Sequence, residues 1–400
     1  MKFIPITAKA ENDTVVLYIA SKAPRIRILR ETVAEEKFTT CDPEREPAAA
    51  EVIFEGTPDQ PSAGHYRVRD ARCRVNGLYY YWLVELDNGN EQLCHPVLVR
   101  VRNTNVWWPR QKYRSYMHEI AADFPHMAEV LPCGRTTRGY PLEFLWVGNR
   151  ENTVLYLGAV HPGESGPEIF LSSVRRLLET QPELFEKTGV AILPAVSADL
   201  REDEVEGCPH YLRTNANGVD INRNFPAEWD IVSDAYGLHT DFFLDTVYRG
   251  FEPFSEAETR AVRTLFEQVK PRIAFSGHWM AGICEDHLLT SSAAQQNPAF
   301  ADCANRVRDA FCAGFDSVLG GPLSEEERSV HYYCCGGSFP TWCYYNHVIA
   351  FDLEGGHRTQ LAATETDRTT EELLELGIRC HTQSMCNILR MAAEENAFIW

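Results

Sequence analysis

The period of the apolar positions changes near Trp107-Trp108-Pro109. Before that point, short apolar or alternating runs recur at 15–20, 25–29, 51–54, 66–68, 77–86 and 97–101. The cluster Asp87-Asn88-Gly89-Asn90 supplies a turn between the last two. Near-regular strands with turn chemistry between them predict a small antiparallel β-sandwich domain over 1–106. No catalytic cluster lies in this part, so an accessory role is expected for it.

Beyond the two tryptophans the pattern becomes mixed. Tyr113, Tyr116, Met117, Ile120, Ala121, Phe124 and Met127 recur at helical spacing and predict a helix over 111–130. A strand-like run follows at 142–147, then an almost continuous apolar run at 153–159, as for a strand buried on both faces. Residues 167–178 read as a helix with proline in its first turn. Further buried strands are expected at 190–194, 273–275 and 348–351, and helices at 256–269, 305–318 and 371–393. This alternation predicts an α/β domain over 107–400, with a mixed, mostly parallel central sheet flanked by helices. The acidic clusters 199–206 and 325–327 read as solvated faces.

Composition narrows the function. The chain has 400 residues, too many for one ordinary small domain. With 57 acidic against 38 basic side chains the net charge is −19, which opposes binding to nucleic acid or to an anionic membrane face. Thirteen cysteines, an odd number with no Cys-x-x-Cys pair, read as free thiols packed as small apolar groups. No apolar run approaches the ~18 residues of a membrane span. The first residues lack the apolar stretch of a secretion signal. A cytoplasmic address is expected, with a removed signal as the alternative.

Four segments carry chemistry. In His161-Pro162-Gly163-Glu164 an imidazole and a carboxylate stand three residues apart, close enough to share one zinc ion. With 13 histidines roughly one such pair arises by chance. A second, His126 and Glu129, falls in the predicted first helix and reads as a solvent-facing pair. His161 and Glu164 differ because they sit where a buried strand gives way to a helix, the edge at which α/β sheets build sites. The segment from Tyr211 to Pro226 packs Arg213, Asn222, Arg223 and Asp220 into a glycine-bearing loop suited to holding a carboxylate, or equally to capping itself. Two strands end in His278 and Glu354. Each alone is ordinary: a hydrogen-bonded core histidine and a strand-end charge.

Together and in this order, His161-Pro162-Gly163-Glu164, Gly218-Val219-Asp220-Ile221-Asn222-Arg223-Asn224-Phe225, His278 and Glu354 resemble the zinc metallocarboxypeptidases, the carboxypeptidase A-like exopeptidases. The resemblance covers roughly residues 110–400. It implies one zinc ion per chain, ligated by His161, Glu164 and His278 with water as the fourth ligand. Asp220 would accept the other N–H of His161. Asn222 and Arg223 would clamp the terminal carboxylate of a peptide, Arg213 would hold the oxyanion, and Glu354 would be the general base. Tyr332, four positions before Gly336, matches the mobile capping tyrosine, with Tyr333 as its competitor.

Two features depart from the family's usual pattern. Trp279-Met280 follow the third ligand where relatives often have Ser-Tyr. The stretch that lines the side-chain pocket in relatives is here Phe339-Pro340-Thr341, with neither acid nor base, which points to neutral or aromatic C-terminal residues. The expected partner is a peptide with a free C-terminal carboxylate. The alternatives are an amidohydrolase or deacylase, a peptidase for cell-wall stem peptides, or an inactive zinc-binding module. The oligomeric state and the task of the β-domain are not legible.

Overall fold

The computed structural model describes residues 2–4, 6–11, 13–33, 41–58, 65–75, 77–164, 166–208, 212–235, 238–278, 288–354, 370–394 and 400. Trp279-Met280, Tyr211 and Gly355-Gly356 lie outside these. The chain divides into two units, Met1–Trp107 with Glu202–Leu212, and Trp108–Arg201 with Arg213–Trp400.

The first unit holds β1 (Ile6–Glu11), β2 (Thr14–Ile19), β3 (Arg25–Val33), β4 (Glu51–Gly56), β5 (Tyr66–Asp70), β6 (Leu78–Asp87), β7 (Asn90–Leu93) and β8 (Val97–Arg100). Two antiparallel sheets result, β1-β2-β5 and β4-β3-β6-β7, with β8 pairing β6. Alternate residues of the strands point inward. Val15, Leu17 and Ile19 of one sheet thus share a buried cluster with Ile26, Ile28, Tyr81 and Leu83 of the other. Two sheets facing across one apolar layer make a small sandwich. Residues 202–208 join it through Ala10 N–H to Glu206 O (2.7 Å) and Arg100 N–H to Gly207 O (2.9 Å).

The second unit contains α1 (Arg110–Asp123), β9 (Ala128–Arg135), β10 (Pro141–Gly148), β11 (Thr153–Leu157), α2 (Pro167–Thr180), β12 (Gly189–Leu193) and α3 (Ala198–Val205), the last running into residues of the first unit. A two-residue pair follows, β13 (Asp234–Ala235) and β14 (Leu238–His239). Then come α4 (Ala257–Val269), β15 (Ile273–His278), β16 (Leu288–Ser291), α5 (Pro298–Leu319), β17 (Val330–Cys334), α6 (Phe339–Tyr345), β18 (Ile349–Glu354) and α7 (Thr370–Ala392). The eight-stranded sheet has the order β17-β16-β18-β15-β11-β12-β10-β9. Its centre, β12-β11-β15-β18, is parallel, and antiparallel pairs flank it on both sides. This is the mixed α/β architecture expected from the sequence.

Strand alternation decides which face receives the chemistry. Tyr156, Phe275 and Phe351 stack on one face, where Phe170 of α2 and Phe311 of α5 meet them. Ser276, His278, Asp352 and Glu354 therefore share the other. No helix among the described residues is long and apolar enough to cross a membrane.

Three sequence expectations are corrected. The helix predicted over 111–130 stops at Asp123, and β9 begins at Ala128. Pro125 explains this, since a residue before proline is pushed off the helical region and Phe124 sits at φ −124°, ψ 56°. His126 is consequently not on a helix, and Glu129 instead accepts from Arg150. The cluster 199–206 forms α3 and is not a solvated face: Asp199 and Glu204 are buried, the latter paired with Arg102 at 2.9 Å.

Candidate active site

The first candidate ligands leave the sheet at the end of β11. Gly158 and Gly166 pack back to back, and a Cβ on Gly166 would lie 2.7 Å from Gly158 Cα. A Cβ on Gly158 would meet the Pro194 carbonyl oxygen. This approach folds the intervening loop tightly. Ala159, at φ 38°, turns the chain through the left-handed region. Glu164 N–H donates to His161 O at 3.2 Å, so both side chains face the same point. Arg201, fully buried, donates to the carbonyls of Pro162 and Glu164 and pairs with Glu168 at 3.3 Å.

His278 ends β15, and the parallel register places Glu354 of β18 directly beside it. His161, Glu164 and His278 are buried, with their donor atoms within 4.8 Å of one another. His161 Nδ1 lies 2.8 Å from Glu164 Oε1, His278 Nδ1 lies 2.9 Å from Glu164 Oε2, and the two Nδ1 atoms are 3.2 Å apart. A tetrahedral ion with ligand bonds of about 2.0–2.2 Å separates its donor atoms by roughly 3.3–3.6 Å, a few tenths of an ångström more than these spacings. Glu164 Oε2, although this close to His278, makes no aligned hydrogen bond. Two imidazoles and a carboxylate aimed at one point are a zinc donor set, and the residues fit the ion.

Carboxylates stand behind both histidines. Asp220 Oδ1 is 3.0 Å from His161 Nε2, while its Oδ2 accepts from Arg213 Nε at 2.8 Å. Asp352 Oδ1 lies 3.3 Å from His278 Nε2, and Ser276 Oγ lies 2.8 Å from the same nitrogen. Burial alone would raise both carboxyls. Arg213 and His161 hold Asp220 far below the ordinary range, and His278 holds Asp352 below it. Glu354 goes the other way. Burial, with Glu164 and Asp352 nearby, pushes it up to about 8 against the pull of His278 and Arg213.

The remaining sequence candidates fall into two groups. Arg213, Asn222 and Arg223 belong to the site's polar assembly. Arg223 Nη1 donates to the Asn222 carbonyl at 2.8 Å. The Asn222 side chain is engaged at both ends, Oδ1 accepting from Phe339 N–H and Nδ2 donating to Asp352 Oδ2, each at 2.8 Å. Phe339 itself is fully buried among Phe225 and Trp342, so its ring presents no open surface. It meets the site through its backbone. Tyr332, half-buried on β17, turns its ring edge-on to Phe300, whereas Tyr333 is 66% exposed. Sequence reasoning missed Asp352 and Arg201. Asp352 was within reach, because residues two apart on a strand share a face and Glu354 had already been singled out. Arg201, inside an acidic run, gave no signal.

Comparison with known proteins agrees with this geometry. Murein peptide amidase A of Escherichia coli (strain K12) is 29% identical over 236 residues, 52% of this chain and 88% of that protein. The carboxypeptidase N catalytic chain of Rattus norvegicus is 30% identical over 176 residues, 36% of each chain. Among solved structures, carboxypeptidase A from Helicoverpa armigera superposes with a TM-score of 0.59 at 16% identity, covering 72% of this chain and 74% of that one, a likeness of fold. Residues 113–375 match the zinc carboxypeptidase family, the span that holds every candidate ligand, and the chain belongs to that family of hydrolases.

Proposed function

We propose that this protein is a metallocarboxypeptidase that hydrolyses the last peptide bond of substrates with a free C-terminal carboxylate. One observation carries the reading: three donor groups converge within 4.8 Å, and a carboxylate occupies the neighbouring strand position. His161, Glu164 and His278 would hold one zinc ion, which when bound lowers the pKa of its water toward about 7 and supplies positive charge. Glu354 takes a proton from the attacking water and passes it to the departing amine as the C–N bond breaks. Arg213 faces the charge that develops on the carbonyl oxygen. Arg223, with the Asn222 N–H not given to Asp352, receives the substrate carboxylate. Tyr332 covers the terminal residue. The lack of charge in Phe339-Pro340-Thr341 favours neutral or aromatic termini, although the Phe339 ring itself is buried and does not line the pocket. Buried free thiols suit a cytoplasmic setting.

A second reading has its own support. The relative that this chain matches over 88% of its length is named a murein peptide amidase, so a cell-wall stem peptide is the alternative substrate. A C-terminally randomised peptide library and a stem-peptide panel, read by mass spectrometry against Glu354→Gln, test both. Loss of single C-terminal residues from library peptides, blocked by chelator and by C-terminal amidation, supports the first. Cleavage confined to stem peptides selects the second, and no cleavage of either sinks both.

A further inference from the structure

Behind the histidines lies a hydrogen-bonded assembly whose two aspartates, Asp220 and Asp352, the reaction above does not use. Its centre is Asn222. The backbone N–H of Asn222 donates to Asp220 Oδ1 at 2.9 Å, its Nδ2 donates to Asp352 Oδ2 at 2.8 Å, and its carbonyl accepts from Arg223 at 2.8 Å. Asp220 Oδ1 is also the atom that faces His161 Nε2, and Asp352 Oδ1 faces His278 Nε2. Cys334 Sγ approaches Asp352 Oδ2 at 3.5 Å. All of these side chains are buried.

We infer that Asp352 orients His278 as Asp220 orients His161, and that Asn222 sets both carboxylates at once as a positioning residue for the metal ligands. The inference rests on the zinc reading and goes beyond it. Both histidines turn Nδ1 toward Glu164 and toward each other, so in the zinc reading Nδ1 is the ligand atom and the ring proton sits on Nε2. An acceptor behind Nε2 fixes that tautomer and the ring plane. A carboxylate suits Asp352 because it faces donors on both sides, the imidazole and the Asn222 amide. An amide at 352 has one oxygen and one NH2 group. Whichever way it turns, a buried donor meets a donor. Asn222 also carries Arg223 on its carbonyl, so the clamp for the substrate's carboxylate and the geometry of the zinc ligands share one residue.

The test measures zinc affinity by chelator competition, without substrate, for the wild-type protein, Asp352→Asn and Asn222→Ala. Cobalt-substituted samples report the ligand field by visible absorption. Asp352→Asn is expected to bind zinc about 10–100-fold more weakly, with an altered cobalt spectrum. Asn222→Ala keeps the Asp352 charge but releases its Oδ2, and should weaken zinc in the same direction. Wild-type affinity and spectrum in Asp352→Asn overturn the inference. If that variant does not fold, wild-type affinity in Asn222→Ala overturns it. A wild-type chain that binds no zinc overturns the zinc reading as well, whereas tight wild-type binding with indifferent variants removes this inference alone.

Discussion

His278 and Glu354 are register partners, with Cα atoms opposite one another at the ends of two parallel strands. The sheet itself thus fixes the spacing between a candidate metal ligand and the candidate base, and no loop has to be ordered to bring them together. Glu354→Gln keeps the shape and removes the base. The expected result is a kcat about 10²–10⁴-fold lower, with zinc content and KM near wild type. Steady-state kinetics and metal analysis on the same preparation check this. A variant that loses zinc along with activity would mean that Glu354 supports the site instead of handling protons.

The two arginines should separate in kinetics. In the proposed reaction Arg213 faces the charge that develops on the carbonyl oxygen as water adds, so Arg213→Met should lower kcat by about 10²–10³-fold. Part of that loss will come through Asp220, which Arg213 Nε holds at 2.8 Å. Arg223→Met should act chiefly on KM. A hydrogen bond to a charged group contributes about 1.5–3 kcal/mol, or roughly 10–150-fold. The variant should also lose its preference for peptide acids over peptide amides. Equal effects of the two substitutions on kcat and KM would refute this division.

With Tyr332 proposed as the cap from its spacing to Gly336, Tyr332→Phe should raise KM and leave zinc binding alone. Tyr333→Phe should stay within about twofold, as expected of an exposed side chain away from special features. A reversed pair of results assigns the cap to Tyr333.

How much of this was legible depended on whether a local pattern or a long-range packing partner carried the signal. The buried strands β11, β12, β15 and β18 announced themselves through continuous apolar runs, and the candidate metal ligands through residue type at and just beyond strand ends. Helix α1 was drawn too long because Met127 kept a helical spacing that Pro125 overrides. The stretch 199–206 looked solvated because its partners, such as Arg102 for Glu204, lie about a hundred residues away. Asn222 was read as a substrate ligand alone. Its ties to Asp352 and Phe339, more than a hundred residues away, exist only once the sheet has formed.

Gly158 offers a test of the turn that carries His161 and Glu164. It is not a left-handed position, so the cost of Gly158→Ala lies in the methyl group, which would be driven into the Pro194 carbonyl. Overpacking of this kind typically costs about 1–3 kcal/mol. Relief requires the loop 158–166 to move, so zinc affinity should fall together with stability. Denaturant unfolding of the metal-free protein and chelator competition measure the two separately. Loss of stability with unchanged zinc affinity would show that the turn is held from elsewhere.

Arg201 is that other support, and it carries a pH signature. It lies fully buried, donates to the Pro162 and Glu164 carbonyls and pairs with buried Glu168. Burial raises the Glu168 carboxyl above its ordinary range, and Arg201 opposes that rise. Arg201→Met removes the opposition, so the folded-state pKa climbs further. A carboxyl raised in the folded state contributes stability that is present below its unfolded pKa of about 4.5 and is lost as pH rises through the folded value. The stability deficit of the variant should therefore be smaller near pH 4.5, where only the two carbonyl bonds are lost, and grow toward neutrality, reaching about 3–5 kcal/mol, as for other broken buried pairs. Adding Glu168→Gln to Arg201→Met should flatten the pH dependence and recover part of the loss. Unfolding by urea in the presence of chelator, from pH 4.5 to 8, measures the deficit. One that is the same at every pH would assign Arg201 to the two carbonyls alone.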